Sequence, residues 1–583
     1  MKLIEALQIL QKDWPSNGEA MAVFLACGCT PLHLETFLTA QLQTRYPGKR
    51  IIVKQGLYGD IIGNLERMPA EEPEVGMVVL EWSDFDPRLG IRRLGRWRPE
   101  GLPEILDSAR AQAERIREAI ERTSQTVPLV ISQPTLPLPP VCYMSGGQTG
   151  GFDLRLRDIV GAFCAQLETE LNVKFINSQR LDRLSPPADR LDVKSELYSG
   201  FPYRLPHASA MAELLSDLAA PVAAKKGLIT DLDDTLWRGI LGDEGPDGVS
   251  WDLDRHSHIH GLYQQLLRSL SDAGVLIAVA SKNDPELVEQ AFKRQDLILQ
   301  SEHLFPMDVH WGPKSDSIGR ILGEWNIGAD SVVFVDDSPM ELAEVKSAHP
   351  DVECLQFPTD RDQAVYSLLE QLGDLFAKDR VSEEDSIRLA SVRQGSTLRE
   401  AAEKTGGISD EFLENSEGKV SVSFCKEPLD PRGLELVNKT NQFNLNGRRI
   451  REGEWSSNMK KAESFLLLVA YEDKYGPLGK IAVVTGAHQS GALTVKTWVL
   501  SCRAFSRRIE YKCLELLFEK FGVDEIAFDF EATPRNGPMQ EFFTKFSERL
   551  ASSGDGKPVR ISKDTFQTNC PRLFHQTKEL IVA

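Results

Sequence analysis

The sequence lacks the long apolar runs of membrane proteins and the basic excess of nucleic-acid-binding proteins. No apolar run approaches the roughly 20 residues needed to cross a bilayer. The formal net charge is −19, whereas a nucleic-acid backbone requires a basic face. The N-terminus also lacks the long apolar core of a signal peptide. We therefore expect a cytoplasmic protein that binds neither membranes nor nucleic acids.

Cysteine patterns that would define a metal site or a disulfide framework are also missing. The nine cysteines are scattered, and no Cys-x-x-Cys pair occurs. We therefore expect reduced thiols rather than disulfides. The 583 residues are 41% hydrophobic and 26% charged, which is the composition of ordinary globular protein. This length leaves room for three or four domains.

A short apolar run near the middle of the chain ends in an acidic cluster. Gly227–Thr230 has the pattern of a buried strand, and Asp231, Asp233 and Asp234 follow it. The carboxyl ends of parallel strands form the ligand-binding edge of an α/β sheet. Carboxylates grouped there need a positive partner, and Mg²⁺ with oxygen ligands is the simplest one. A solvated acidic turn would have the same pattern, so this stretch alone does not distinguish a metal site from a surface turn.

Two further segments place a polar residue beside such an edge. A strand predicted at 275–280 ends in Ser281, and Asp284 then caps a predicted helix. Ser281 therefore lies beside a helix N-terminus, which favours phosphate. Lys314 falls in the first turn of another predicted helix, where a cation opposes the helix dipole. An anionic ligand explains Lys314 better than helix stability does.

A third predicted strand supplies more acids. Val332–Val335 is apolar and is followed by Asp336 and Asp337. Ser338 and Glu341 then have the spacing of a capping box for the next helix. Together, the predicted strands bring acids, a hydroxyl and an amine to one edge of a sheet.

The order of these motifs resembles that of the haloacid dehalogenase (HAD) superfamily. The resemblance is closest to its FkbH-like branch, subfamily IIIC. It is carried by three stretches, Asp231–Gly245, Ser281–Asp284 and Leu436–Leu445.

This resemblance implies a phosphoryl-transfer site. Asp231 would be the nucleophile that forms an aspartyl-phosphate, and Asp233 the general acid and base. Mg²⁺ would be held by Asp231, the main-chain carbonyl of Asp233, and Asp336, with Asp337 as a further ligand or a neighbour of the ligands. Two more residues would hold the phosphoryl oxygens, namely Ser281 and Lys314.

The predicted fold class is α/β multidomain. We expect a central Rossmann-like HAD domain without a large cap at residues 223–378. A degenerate domain that resembles the SGNH hydrolases, also α/β, would precede it at 1–222. A helical connector at 379–419 would lead to an α+β domain at 420–583 that resembles the N-acetyltransferase (GNAT) fold.

The first of these regions departs from the SGNH pattern at its nucleophile. Cys27-Gly28-Cys29-Thr30 stands where such a hydrolase has Gly-Asp-Ser. Asp192 and His207 match the acid and the base. Without the serine we expect a noncatalytic domain; a nucleophile at Cys27 or Cys29 is the alternative.

Three histidines, His256, His258 and His260, are spaced closely enough to suggest a metal cluster. Only His256 and His260 would share a helix face. We therefore interpret them as the solvated start of a helix.

FkbH-like proteins are associated with dephosphorylating 1,3-bisphosphoglycerate and loading the glyceryl group on the phosphopantetheine thiol of an acyl carrier protein in secondary-metabolite biosynthesis. Many have a cysteine four residues before the nucleophile, where this chain has Gly227. Cys502 would be either an acyl carrier that substitutes for the cysteine absent at position 227 or a buried cysteine at the end of a strand. The alternatives are a phosphatase acting on another phosphorylated small molecule or carrier-bound substrate, and a carrier-binding scaffold without catalysis.

Overall fold

The computed structural model describes residues 1–579 except 13–19, 93–98, 141–144, 146, 171, 221–222, 360, 379–380, 406–409, 428–429, 451, 475, 490, 502–503, 506 and 547–558. The chain divides into two compact units, Met1–Ala223 and Ala224–Ala583. Among the helices of the described residues, none combines the length and the apolar character needed to span a bilayer.

The first unit is built on a parallel five-stranded sheet in the order β2-β1-β3-β4-β5. Successive residues of β1, such as Phe24 and Leu25, belong to two different buried clusters, so both faces of the sheet are covered. The strands are β1 Ala20–Cys27, β2 Arg50–Gln55, β3 Val75–Val79, β4 Leu129–Ser132 and β5 Val173–Phe175. The helices are α1 Leu3–Leu10, α2 Leu32–Arg45, α3 Ile61–Arg67, α4 Trp82–Phe85, α5 Leu102–Ser124, α6 Gly151–Leu167, α7 Ser178–Leu184, α8 Val193–Ser199 and α9 Leu205–Ala219.

The second unit begins with another parallel five-stranded sheet, the central sheet, in the order β10-β9-β6-β7-β8. Its strands are β6 Gly227–Thr230, β7 Leu276–Ser281, β8 Leu304–Val309, β9 Val332–Asp336 and β10 Glu353–Gln356. Its helices are α10 Leu241–Glu244, α11 His258–Asp272, α12 Pro285–Ala291, α13 Lys314–Trp325, α14 Pro339–Ala348 and α15 Asp362–Phe376. Since β6 is the middle strand, the acids after it lie at the centre of the carboxyl edge.

The connections across this edge are short. α10 and α11 lie between β6 and β7, and α12 lies between β7 and β8. Residues 231–314, all of which the structure describes, contain no inserted sheet or further domain. The carboxyl edge of the central sheet is therefore not covered by a cap built from these connections.

The remainder of the second unit is three helices followed by a mixed sheet in the order β17-β16-β15-β14-β13-β11-β18. The strands are β11 Lys419–Ser423, β12 Phe443–Asn444, β13 Ser464–Asp473, β14 Gly476–Gln489, β15 Ala492–Leu500, β16 Glu525–Phe528, β17 Val559–Ser562 and β18 Gln576–Glu579. The helices are α16 Glu383–Ser386, α17 Arg388–Thr405, α18 Asp410–Asn415, α19 Pro431–Lys439, α20 Glu452–Met459, α21 Ile509–Phe521, α22 Gly537–Thr544 and α23 Lys563–Asn569.

A short strand, β12, fills a gap between two diverging strands of this sheet. β15 pairs with β16 only over Leu493–Val495, and the last two residues of β15 pair with β12 instead. The Asn446 amide, just after β12, donates to the main-chain carbonyls of Lys496 and Asp529, at 3.0 and 3.1 Å. The side chain therefore joins the two strands where their own ladder has ended.

The histidine cluster at the start of α11 is not a solvated surface. His260 is buried, stacks on the ring of Phe357 at 5.1 Å, and has Nδ1 3.0 Å from the carbonyl oxygen of Thr235. The prediction of a solvated helix start is therefore wrong for His260. His260 is buried because it lies on the inner face of α11. The sequence does not indicate this burial, because three histidines within five residues suggest a polar surface.

Candidate active site

Asp231 and Asp233 lie directly beyond β6, at the carboxyl edge of the central sheet. The Asp231 N–H donates to the carbonyl of Val335 in β9, at 3.0 Å, and the residue is 5% exposed. The neighbouring strand therefore fixes the main chain of Asp231 and directs its carboxylate into a buried position.

Three donors orient the Asp233 carboxylate. Trp237 Nε1 and the Leu241 N–H donate to Oδ1, at 3.0 and 3.2 Å, and Asn283 Nδ2 donates to Oδ2 at 2.9 Å. Burial raises the pKa of Asp233, and the charge of Asp231 adds to this effect, while the three donors oppose it. Sequence reasoning did not assign a role to Asn283, although its position directly after Ser281-Lys282 was the available signal.

Asp336 and Asp337 approach from the adjacent strand, β9. Asp336 is fully buried, and its Oδ1 accepts from the Ser338 N–H at 2.9 Å. The carboxylate oxygens of Asp231, Asp336 and Asp337 lie within 4.8 Å of one another. We call these three residues the carboxylate cluster. Burial, and then the charge of Asp231, raises the pKa of Asp336 and that of Asp337 to about 6 each.

Lys314 is the positive partner of the cluster. Its Nζ lies 3.0 Å from Asp231 Oδ1 and 2.5 Å from Asp336 Oδ2. Burial acts to lower the pKa of Lys314, but the two carboxylates outweigh it, so the pKa is raised and the amine is charged. The two buried acids are therefore sufficient to explain a cation at the start of α13, and an anionic ligand is not required for it.

Ser281 ends β7, which lies next to β6, and is 3% exposed. It therefore occupies the same edge as Asp231. The following residue, Lys282, donates to Glu341 Oε1 at 2.8 Å. Glu341 consequently does not close the predicted capping box; Ser338 Oγ accepts from the Glu341 N–H at 3.5 Å, and the Glu341 carboxylate instead ties α14 to the segment after β7.

The carboxylate cluster has the donor chemistry that suits a hard divalent cation. Three carboxylates from two adjacent strands supply oxygen ligands, which Mg²⁺ prefers. Asp231 Oδ1 is buried without a hydrogen-bond partner, since the nearby ammonium of Lys314 is not aligned for one. An unsatisfied buried oxygen among acids is the feature that a bound cation would satisfy. The residues present therefore fit a magnesium site.

Position 227 cannot hold an acyl cysteine in this packing. A Cβ added at Gly227 would lie 2.2 Å from the indole ring of Trp325. The ring fills the space that a side chain would need. The proposed substitute, Cys502, lies outside the described residues.

The first unit contains a cavity of about 580 Å³ lined by Cys29, Glu81 and Asp84 among others. His207 does not face Asp192; its Nδ1 and Nε2 each lie 2.9 Å from a hydroxyl, of Ser185 and Thr135 respectively. The Asp192 carboxylate instead accepts from the N–H of Ser195, at 2.9 Å.

The predicted base and the predicted thiol nucleophile of the first unit are poorly suited to nucleophilic catalysis. Burial, with a contribution from Arg190, lowers the pKa of His207 to about 3. The contact with Cys27, together with burial, raises the pKa of the Cys29 thiol. A weak base and a protonated thiol do not form an activated pair.

No protein-family model matches the chain, and no curated protein matches it. Among solved structures, it is similar to the N-terminal part of the protein BF1531 from Bacteroides fragilis, which contains a phosphatase domain and was crystallised with Mg. The identity is 18% and the TM-score 0.52, over 65% of this chain and all of that one. At this identity the likeness shows the fold alone: a multidomain α/β protein with parallel sheets.

Two further structures match part of the chain. One is a putative GDSL-like lipase from Parabacteroides merdae, with 14% identity and a TM-score of 0.22 over 36% of this chain and 99% of that one. The other is the salicylyl-acyltransferase SsfX3 from a tetracycline biosynthetic pathway, with 12% identity and a TM-score of 0.21 over 36% and 57%. TM-scores this low carry no argument about either unit.

Proposed function

We propose that the second unit is a Mg²⁺-dependent phosphatase or phosphoryl transferase of the HAD type. The observation that carries this proposal is the carboxylate cluster, Asp231, Asp336 and Asp337 within 4.8 Å, with Lys314 against two of its members. The likeness to a phosphatase-domain structure crystallised with Mg supports it.

In this proposal, Asp231 attacks the phosphorus atom and the bond from phosphorus to the leaving oxygen breaks. Asp233 gives its proton to that oxygen, and it later takes a proton from the water that hydrolyses the aspartyl-phosphate. Burial favours the protonated form of Asp233 at the first step. Asn283 and Trp237 hold its carboxylate in place.

Lys314, at the start of α13, and Ser281, at the end of β7, would bind the phosphoryl oxygens. Mg²⁺, held by Asp231, Asp336, the carbonyl of Asp233 and Asp337, would supply positive charge that offsets the charge of the phosphoryl group. Because the connections form no cap, they do not themselves exclude a substrate larger than a free metabolite from this edge.

The finer form of the proposal is release of phosphate from 1,3-bisphosphoglycerate with transfer of the glyceryl group to an acyl carrier protein. It is supported by the sequence motifs. The collision between a side chain at 227 and Trp325 favours the simpler alternative, hydrolysis of a phosphorylated metabolite or carrier-bound group without an enzyme thioester at that position.

The Asp231→Asn variant tests the nucleophile. We expect phosphate release from 1,3-bisphosphoglycerate or p-nitrophenyl phosphate, with Mg²⁺, to fall by more than about a hundredfold, since a nucleophile has been removed. Asp234→Asn is the matched control, because Asp234 accepts the Gly239 N–H and lies outside the cluster. A variant at 231 that keeps more than about a hundredth of the wild-type rate contradicts the proposed role.

Intact-mass measurement on a holo carrier protein separates the forms of the proposal. With 1,3-bisphosphoglycerate and Mg²⁺, a glyceryl mass on the carrier supports transfer. Phosphate release without that mass supports the phosphatase. If neither is seen with any phosphorylated substrate, a carrier-binding scaffold without catalysis is the remaining function.

A further inference from the structure

A groove runs along one margin of the central sheet, between α12 and β8. In the sheet order of the described residues, β8 is the outermost strand on this side. The groove has a volume of about 350 Å³, which lies within the range of about 300–1,000 Å³ that is usual for small-molecule pockets. We call it the β8 groove, and its apolar lining consists of Pro285, Val288, Phe292, Met307 and Val309.

The spacing of these residues along the chain makes both walls of the β8 groove apolar. Val288 lies on α12, and Phe292 directly follows this helix four residues later, so the two side chains share a face. Met307 and Val309 are two residues apart on β8 and therefore point to the same side of the sheet. Both pack against the buried cluster that contains Val288 and Phe292.

The charged residues that line the β8 groove compensate each other. They are Glu289 and Lys293, and Glu289 Oε1 lies 2.8 Å from Lys293 Nζ. Ser301 is the remaining polar residue of the described lining. This lining therefore offers apolar surface without an excess of either charge, which suits an uncharged apolar group.

The upper end of the β8 groove lies beside the proposed phosphoryl-transfer site. Val309, at the end of β8, is the pairing partner of Ser281 in β7, and neighbouring strands are about 4.7–4.9 Å apart. Pro285, the first residue of α12, follows Ser281 closely in the chain. An apolar group attached to a phosphate at Ser281 would therefore have to cross only one strand spacing to enter the groove.

Trp311 lies in the loop after β8, on the same side of Ser281. The His310 N–H donates to the Ser281 carbonyl at 3.1 Å, and the Gly312 N–H donates to His310 Nδ1 at 2.8 Å. These bonds hold the residues on both sides of Trp311, yet Trp311 itself is 73% exposed. The other tryptophans that the structure describes are all buried.

An exposed indole contributes little to the stability of the fold, because it removes little apolar surface from water. Tryptophan is, however, enriched among the residues that dominate binding energy, since it offers a large contact area with few rotatable bonds. The β8 groove and Trp311 are separate features, and both adjoin Ser281. Together they provide apolar surface for a group that extends from Ser281 towards β8.

We infer that Trp311 and the β8 groove bind the apolar part of a phosphomonoester whose phosphate is held at Ser281. Trp311 supplies a flat ring on which an aromatic group can stack, and the groove removes alkyl groups from water. This inference rests on the proposed phosphatase and names its class of substrate, a phosphate ester of an aromatic or alkyl alcohol. It favours the alternative form of that function, hydrolysis without glyceryl transfer.

Binding of nonhydrolysable phosphonates tests this subsite without turnover. The full chain with Mg²⁺ is titrated calorimetrically with methylphosphonate and with benzylphosphonate, which share the phosphonate group. We expect benzylphosphonate to bind about tenfold more tightly, and Trp311→Ala to reduce this difference to about twofold. Trp311→Phe should keep most of the difference, because it retains an aromatic ring.

The exposure of Trp311 makes these variants suitable, since replacing an exposed side chain should leave the fold intact. Tyr366→Ala is the matched control, because it removes another exposed aromatic ring, on α15. This control should keep the full difference between the two phosphonates.

Two further measurements locate the bound ligand. Benzylphosphonate should shift the tryptophan emission of the wild-type chain, and this shift should be absent in Trp311→Phe. Along the series methyl-, propyl- and hexylphosphonate, each methylene that enters the β8 groove should strengthen binding by up to about fourfold. Met307→Gln, which places an amide in the groove, should weaken this dependence on chain length.

The inference is wrong if neither phosphonate binds, if benzylphosphonate binds no more tightly than methylphosphonate, or if Trp311→Ala keeps the full difference. Failure of the proposed function has another signature, in which the phosphonates bind as expected but the wild-type chain releases no phosphate from phenyl phosphate with Mg²⁺. In that case the apolar subsite stands, and the catalytic role of Asp231 does not.

Discussion

Replacing Lys314 with methionine should destabilise the central sheet while leaving its shape nearly unchanged. The ammonium lies against Asp231 and Asp336, and the three side chains are 5%, 8% and 0% exposed. Methionine has a similar length but no charge, so it would leave two buried carboxylates without a cation. Breaking a buried ion pair in this way costs about 3–5 kcal/mol, a large share of the 5–15 kcal/mol by which domains are commonly stable.

Native-state hydrogen exchange in β6 and β9 measures this loss locally, which suits a chain of several domains. Without Mg²⁺ the free energy of opening should fall by about 3–5 kcal/mol. Saturating Mg²⁺ should restore part of it, about 2.7 kcal/mol at a hundred times the dissociation constant. Lys293→Met is the control, because its pair with Glu289 is exposed on both sides and such pairs contribute about 0–1 kcal/mol. Unchanged protection in metal-free Lys314→Met would refute the reasoning.

Two further predictions concern packing and burial. Gly227→Ala should lower the free energy of unfolding by about 1–3 kcal/mol, because its Cβ meets Trp325 at 2.2 Å. Gly242→Ala is the control, because a Cβ at 242 has open space. Urea denaturation measures both variants, and an equal loss in the two would contradict this account. Burial raises the pKa of Glu81 to about 7, so the folded protein binds the Glu81 proton more tightly than the unfolded chain, in which the pKa is 4.5. The stability that this proton contributes is complete below pH 4.5 and is lost as the pH rises through 7. Glu81 should account for a loss of roughly 3 kcal/mol that Glu81→Gln does not show. The variant keeps the separate pH dependence of Asp84, because burial also raises the pKa of Asp84 to about 7. Urea denaturation of both forms from pH 4.5 to pH 8 decides, and equal pH slopes would disprove the role of Glu81.

The elements of the central sheet follow from simple sequence patterns. Apolar runs at 227–230, 275–280 and 332–335 give β6, β7 and β9, because strands buried on both faces are apolar throughout. The polar residues after these runs, from Asp231 to Asp337, fall at one edge because all the strands are parallel. Here the order of the chain is sufficient to place the residues.

Side-chain partners across the sheet do not follow from such patterns. The capping-box spacing of Ser338 and Glu341 is local, whereas the contact of Glu341 with Lys282 depends on how α14 packs. The burial of His260 depends in the same way on which face of α11 turns inward. The strand β12 has only two residues, too few for a period-two pattern to be recognised.

The asparagines around β12 have a consequence for how variants of this chain are interpreted. Asn446 joins Lys496 to Asp529, and Asn536 donates to the carbonyl of Asn444 at 3.0 Å. These amides substitute for a missing stretch of strand, so losing one would loosen the seam between β15 and β16. A variant that lost one of these amides would form less product because the sheet is destabilised. A screen that measures only product formation would attribute that loss to the active site, although these side chains bond to the main chain of their own sheet.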